Sequence, residues 1–68
     1  MTQPTIHLLL TGDEIMSGDI IDSNSAMIAD YLATLGLRPR KKVTVGDLLD
    51  DLISEMAQLS QQADILIV

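Results

Sequence analysis

Cysteine is absent from the 68 residues, and histidine occurs once, at His7. The chain therefore has neither a disulfide nor a Cys- and His-based zinc site with which small domains reinforce a thin core. Aromatic residues are almost missing as well: Tyr31 stands alone, without Phe or Trp, so any core is built from Leu, Ile, Val, Met and Ala. No apolar run approaches the roughly 18 residues that cross a bilayer, so membrane contact is not expected. Met1-Thr2-Gln3-Pro4 carries no positive charge and leads into only a short apolar stretch, unlike a signal peptide. The expectation is a cytoplasmic protein, and the lack of Cys agrees with a reducing compartment. Positive charge is scarce too. Four Lys and Arg stand against ten Asp and Glu, a net charge of −6, and all four lie between Arg38 and Lys42. Nucleic-acid binders carry broader basic footprints, so no nucleic-acid partner is expected and the short cluster reads as a solvated face.

The residues that are present alternate between two patterns. Ile6-His7-Leu8-Leu9-Leu10, bounded by Pro4 and Gly12, suits a strand buried on both faces. Thr11 to Asp19, with two glycines and three acids, reads as a loop. Ile28, Tyr31, Leu32 and Leu35 then recur at helical spacing. Asp22, Ser23 or Asn24 is placed to cap that helix and Gly36 to end it. Lys41 to Val45 predicts a more polar strand near a sheet edge. Gly46-Asp47 opens a second helix, with Asp47 as its cap and Leu49, Leu52, Ile53, Met56 and Leu59 as its apolar stripe. Asp64 introduces a last strand, Ile65 to Val68.

This βαβαβ order predicts the α/β class: a three-layer parallel sheet with helices on both faces, right-handed crossovers and the first strand between the other two. Three strands are few for such a sheet. Residues 1–68 are accordingly expected to be the N-terminal portion of a single larger domain.

Ligands of open parallel sheets collect at the carboxyl ends of the strands. That edge is acidic here: Asp13, Glu14 and Asp19 follow the first strand, Asp22 and Asn24 open the first helix, and Asp47 follows the second strand. Such hard oxygen donors suit Mg²⁺ or Mn²⁺, which in turn offset the charge of a phosphate. The same acids equally suit helix starts and solvated turns, and spacing alone leaves both readings open. Other chemistries are poorly supported. There is no dinucleotide fingerprint or Walker lysine motif, none of the serines sits in a nucleophile elbow, and His7 lies inside a strand, where it reads as a packed residue.

Taken in order, Thr11-Gly12-Asp13-Glu14-Ile15-Met16-Ser17-Gly18-Asp19-Ile20-Ile21-Asp22-Ser23-Asn24-Ser25, then Gly36, Thr44-Val45-Gly46-Asp47 and Ala63-Asp64-Ile65-Leu66-Ile67-Val68 resemble the N-terminal domain of the competence/damage-inducible CinA family. That domain belongs to the molybdenum-cofactor-biosynthesis, or molybdopterin-binding, superfamily. Seven residues separate Glu14 from Asp22, and this short span resembles the CinA type, or the similar domain fused to eukaryotic flavin-nucleotide synthases, more than the molybdenum-insertion type. The resemblance implies a nucleotide-pyrophosphate hydrolase that converts ADP-ribose to AMP and ribose phosphate with a divalent metal, Mg or Mn. On that basis Asp13 and Glu14 are expected to be catalytic, holding metal or orienting water, with Gly12, Asn24 and Asp47 binding substrate. The alternative it implies is a module that binds a pterin or nucleotide ligand without catalysis. It also implies association into homo-oligomers, a C-terminal deamidase domain in many full-length relatives, and a Gly-Gly-x-Gly-Pro-Thr loop that would begin beyond Val68. Without that loop the 68 residues are expected to be catalytically silent. Leu48 departs from the polar residue usual after the Val-Gly-Asp aspartate.

Overall fold

The computed structural model describes residues 3–68. Strands β1 (Ile6–Thr11), β2 (Lys41–Val45) and β3 (Ile65–Ile67) form one parallel sheet in the order β2-β1-β3. Helices α1 (Asp13–Ser17) and α2 (Asn24–Thr34) lie between β1 and β2, and α3 (Leu49–Gln61) lies between β2 and β3.

The period of the central strand builds the layers. Side chains alternate across a sheet, and β1 sends Ile6 and Leu8 to Leu32 of α2, where Leu10, Ile28, Leu37 and Ile67 join them. Leu9 points the other way, to Val45 and Leu59, with Val43, Leu52 and Leu66 around them. Helices α2 and α3 therefore cover opposite faces, as the three-layer expectation requires. The reversal is geometric: β2 and β3 flank β1 on opposite sides, so two crossovers of one hand must pass over opposite faces. His7 shares the α3 face. Its ring is buried, 3% exposed, and its Nδ1 donates to the Leu59 carbonyl at 3.0 Å, satisfying one of the carbonyls that the last turn of a helix leaves open.

Several local expectations are corrected. The stretch from Thr11 to Asp19 contains a short helix, α1, instead of an uninterrupted loop. The Gly12 carbonyl accepts the N–H groups of Ile15 and Met16, and Gly18, at φ 82°, ends the turn by donating to the Ile15 carbonyl. Asp13 and Glu14 fall in its first turn, where negative charge is favoured. In α2, Ser25, Ile28 and Leu32 face inward while Tyr31 and Leu35 are exposed. Tyr31 lies one residue, about 100°, from the Leu32 line. In α3, Leu59 is fully enclosed and Leu52 packs beneath it, whereas Leu49 and Ile53 stay outside. Each sheet face is too narrow to cover the whole apolar stripe written into the sequence.

The helix ends follow the sequence in part. Gly36, at φ 75°, takes the left-handed conformation after α2, and Leu37 donates to the Leu32 carbonyl at 2.9 Å, the bond pattern of a glycine-ended helix. Of the three residues proposed to cap α2, Ser23 holds the cap position without a side-chain bond, and Asp22 just before it supplies the bond: its Oδ1 accepts the Ser25 N–H at 3.0 Å. Asp47 does not cap α3. Leu48 occupies that position without a side-chain bond, because Asp47 is engaged elsewhere.

Candidate ligand-binding site

Gly12 extends the β1–β2 ladder one step past Thr11, donating to the Val45 carbonyl at 3.0 Å. Its φ of 140° and ψ of 127° belong to a region that side chains other than hydrogen exclude, and a Cβ there would sit 2.6 Å from Glu14 Oε1. The chain can thus leave the buried centre of the sheet and turn at once into α1.

That turn brings Asp13 beside Asp47. Asp47 N–H donates to Asp13 Oδ1 at 3.0 Å, and Asp13 N–H approaches Asp47 Oδ2 at 3.4 Å. Two like charges become neighbours because each carboxylate accepts the other's backbone proton. The exchange ties the β1–α1 connection to the β2–α3 connection. Gly46 permits it, since a Cβ at that position would run into Asp13 Oδ1.

On the other side of β1, a cleft of about 520 Å³ opens between the carboxyl ends of β1 and β3 and the start of α2. Leu8, Leu10, Ile28 and Ile67 give it an apolar floor; Thr11, Glu14, Asp22, Asn24 and Ser25 give it a polar rim. In a sheet of order 2-1-3 this is the switch point, because the β1 connection leads toward β2 and away from β3.

Asp22 is the most constrained acid of the rim. Ser25 Oγ donates a short hydrogen bond to Asp22 Oδ2, Ser25 N–H donates to Oδ1, and Lys42 Nζ lies 3.7 Å from Oδ2. The Ser25 hydroxyl above all, then the Ser25 N–H, hold the Asp22 carboxyl below its usual range; burial opposes this and Lys42 adds to it. Asp22 is therefore anionic at neutral pH with its oxygens already occupied, and it fixes Ser25, itself buried, at the helix start.

The five expected site residues, Gly12, Asp13, Glu14, Asn24 and Asp47, all lie at the carboxyl edge, in two groups. Glu14 and Asn24 line the cleft. Asp13 and Asp47 face each other outside its lining, and Gly12 is buried beneath them. Sequence reasoning names Asp22 only as a cap or hard donor and overlooks Ser25; the signal was the Asp-x-x-Ser spacing at a helix start, which lets one carboxylate take both a backbone and a hydroxyl proton. Among the described residues no three acidic or histidine side chains gather as they would around a metal ion. With Asp13, Asp22 and Asp47 already accepting protons, the donor set does not fit a cation held by the protein alone.

A parallel three-layer sheet with a partly apolar cleft at its switch point defines an α/β domain. The family described as a probable molybdopterin binding domain matches residues 7–68, and the chain belongs to it. Among its relatives are a CinA-like protein of Colwellia psychrerythraea, 50% identical over 68 residues, covering 100% of this chain and 16% of that protein; one of Shewanella frigidimarina, 41% identical over 63 residues, covering 93% and 15%; and one of Escherichia coli O9:H4, 46% identical over 63 residues, covering 93% and 16%. The chain thus spans about a sixth of the length of these relatives. No solved structure matches it.

Proposed function

We propose that this chain forms one wall of a site for a flat heteroaromatic ligand, the pterin or the base of a nucleotide, and that in a longer CinA-like protein the site serves hydrolysis of ADP-ribose to AMP and ribose phosphate. The observation that carries the reading is the cleft itself. Leu8, Leu10, Ile28 and Ile67 offer a flat ring an apolar bed, while the Asn24 amide and the Glu14 carboxylate stand on its rim, in the mixture usual for small-molecule sites. Asn24 both donates and accepts, and Glu14 accepts the N–H groups that pterins and purines carry on their edges.

The acids dictate what else the ligand brings. Asp13, Glu14, Asp22 and Asp47 make this edge repel a bare pyrophosphate, so a charged nucleotide would arrive with Mg²⁺ or Mn²⁺ bound to its own phosphates. Magnesium keeps several waters and needs only one or two protein carboxylates, and Glu14 is the rim carboxylate without an internal hydrogen bond among the described residues. In hydrolysis, water adds to one phosphorus as the bridging oxygen leaves with the other phosphoryl group.

The second reading, binding without cleavage, is favoured by the mutual engagement of Asp13 and Asp47, which leaves Glu14 as the only free candidate among the two expected catalytic acids. The test is AMP release from ADP-ribose by the full-length protein. The proposal expects turnover that Glu14→Gln lowers at least tenfold and Asn24→Ala impairs mainly through KM. Saturable pterin binding with no AMP release would select the second reading.

A further inference from the structure

At the opposite, amino end of the sheet a second cavity, of about 350 Å³, is lined by Thr5, His7, Arg40, Lys41 and Gln62. Thr5, Arg40, Lys41 and Gln62 carry side-chain hydrogen-bond donors, and no lining residue is acidic. Strand register explains the gathering. His7 and Lys41 are direct partners in the β1–β2 ladder, so their side chains leave the same face of the sheet, the face covered by α3. Arg40 is held at the mouth by its own backbone N–H, which donates to the Ile6 carbonyl at 2.8 Å. Gln62 follows the last residue of α3.

His7 makes the cavity more than a charged surface. Its Nδ1 donates to the Leu59 carbonyl, which leaves Nε2 as the unused ring nitrogen. The buried His7 side chain is part of the wall of this cavity. A ring 3% exposed thus stands in the wall of a recess flanked by a guanidinium and an ammonium. Neither Arg40 nor Lys41 forms an ion pair among the described residues; the cation that does is Lys42, on the other face. In a chain of net charge −6, two uncommitted cations thus gather beside a buried imidazole, and the nearby Asp64 carboxylate is engaged by the Thr5 backbone N–H at 2.8 Å.

We infer that this recess binds a phosphate group, at a site separate from the carboxyl-edge cleft. Arg40 would take two phosphate oxygens with its planar fork, Lys41 would supply a point charge, the Thr5 hydroxyl and Gln62 amide would complete the donor set, and the His7 Nε2 lone pair would accept the P–OH of hydrogen phosphate. The inference does not depend on the function proposed for the cleft.

Calorimetric titration of the full-length protein with inorganic phosphate, at ionic strength held constant with KCl, tests it. The expected result is saturable binding that Arg40→Gln/Lys41→Gln weakens at least tenfold and Asn24→Ala, in the other cleft, leaves within twofold. Both residues of the double variant are exposed, and its folded state is checked by circular dichroism. Binding that survives the double variant, that disappears with Asn24→Ala, or that never saturates would overturn the site.

Discussion

Gly12 and Gly46 stand a few ångströms of backbone apart at the same edge and are needed for different reasons, which mutation separates. At Gly12 the requirement is conformational: φ is 140°, and any side chain there costs about 1–3 kcal/mol. At Gly46 it is a collision with the Asp13 carboxylate. Gly46→Ala is therefore expected to destabilise by about 1–2 kcal/mol through loss of the Asp13–Asp47 exchange. Most of that loss should vanish in an Asp13→Ala background, whereas the cost of Gly12→Ala should persist there. Urea unfolding of the single and double variants checks both, since neighbouring sites show their coupling as non-additivity.

Asp22 supplies the pH dependence at this scale. Its folded pKa is lowered relative to an unfolded value near about 3.9. The stabilisation it contributes is thus complete above the unfolded pKa and is lost as pH falls through the lower, folded one. Ser25→Ala removes the principal cause, so the Asp22 carboxyl ¹³C titration should move to higher pH in that variant; an unchanged midpoint would contradict the assignment. The sequence displayed these acids as a group but not their engagements. The meeting of Asp13 and Asp47 depends on Thr11 pairing with Val45, a register that no local pattern encodes.

Among the elements, the strands were the most legible. The apolar run of β1 has one solution in a parallel sheet, burial on both faces, and β2 begins and ends as its alternation indicated. Helix faces were less so. The stripe Leu49, Leu52, Ile53, Met56 and Leu59 is wider than one face of three strands, and the structure buries only its Leu52 and Leu59 side. Leu59→Ala should accordingly cost about 2–5 kcal/mol, while Ile53→Ala, on the exposed side, should stay within about 0.5 kcal/mol. Thermal or denaturant melts of the two variants in this chain make the comparison. Helix α1 escaped the sequence altogether, because five residues are too few to show a helical period and its glycines and acids are also loop residues.

At the scale of the whole molecule, charge is sorted along the strand axis. The carboxyl edge gathers Asp13, Glu14, Asp22 and Asp47 and the apolar cleft; the amino edge gathers Arg40, Lys41 and His7 around a polar recess, with Asp64 accepting the Thr5 N–H at its border. Fold class and family were accessible from the order of the elements and from three motifs at their junctions. The division of the acidic edge into a cleft and an Asp13–Asp47 clamp was not, since it arises only when β1 and β2 are side by side.

The cleft between the ends of β1 and β3 is expected to hold the ligand, and ligand titration followed by amide and side-chain NMR of the isotope-labelled protein locates the site. With ADP-ribose and Mg²⁺, or with a pterin, saturable shifts are expected that are confined to Thr11, Glu14, Asn24, Ser25 and Ile28 and are abolished or weakened at least tenfold by Asn24→Ala. Saturable shifts that leave these residues unmoved, or binding indifferent to Asn24→Ala, would contradict it.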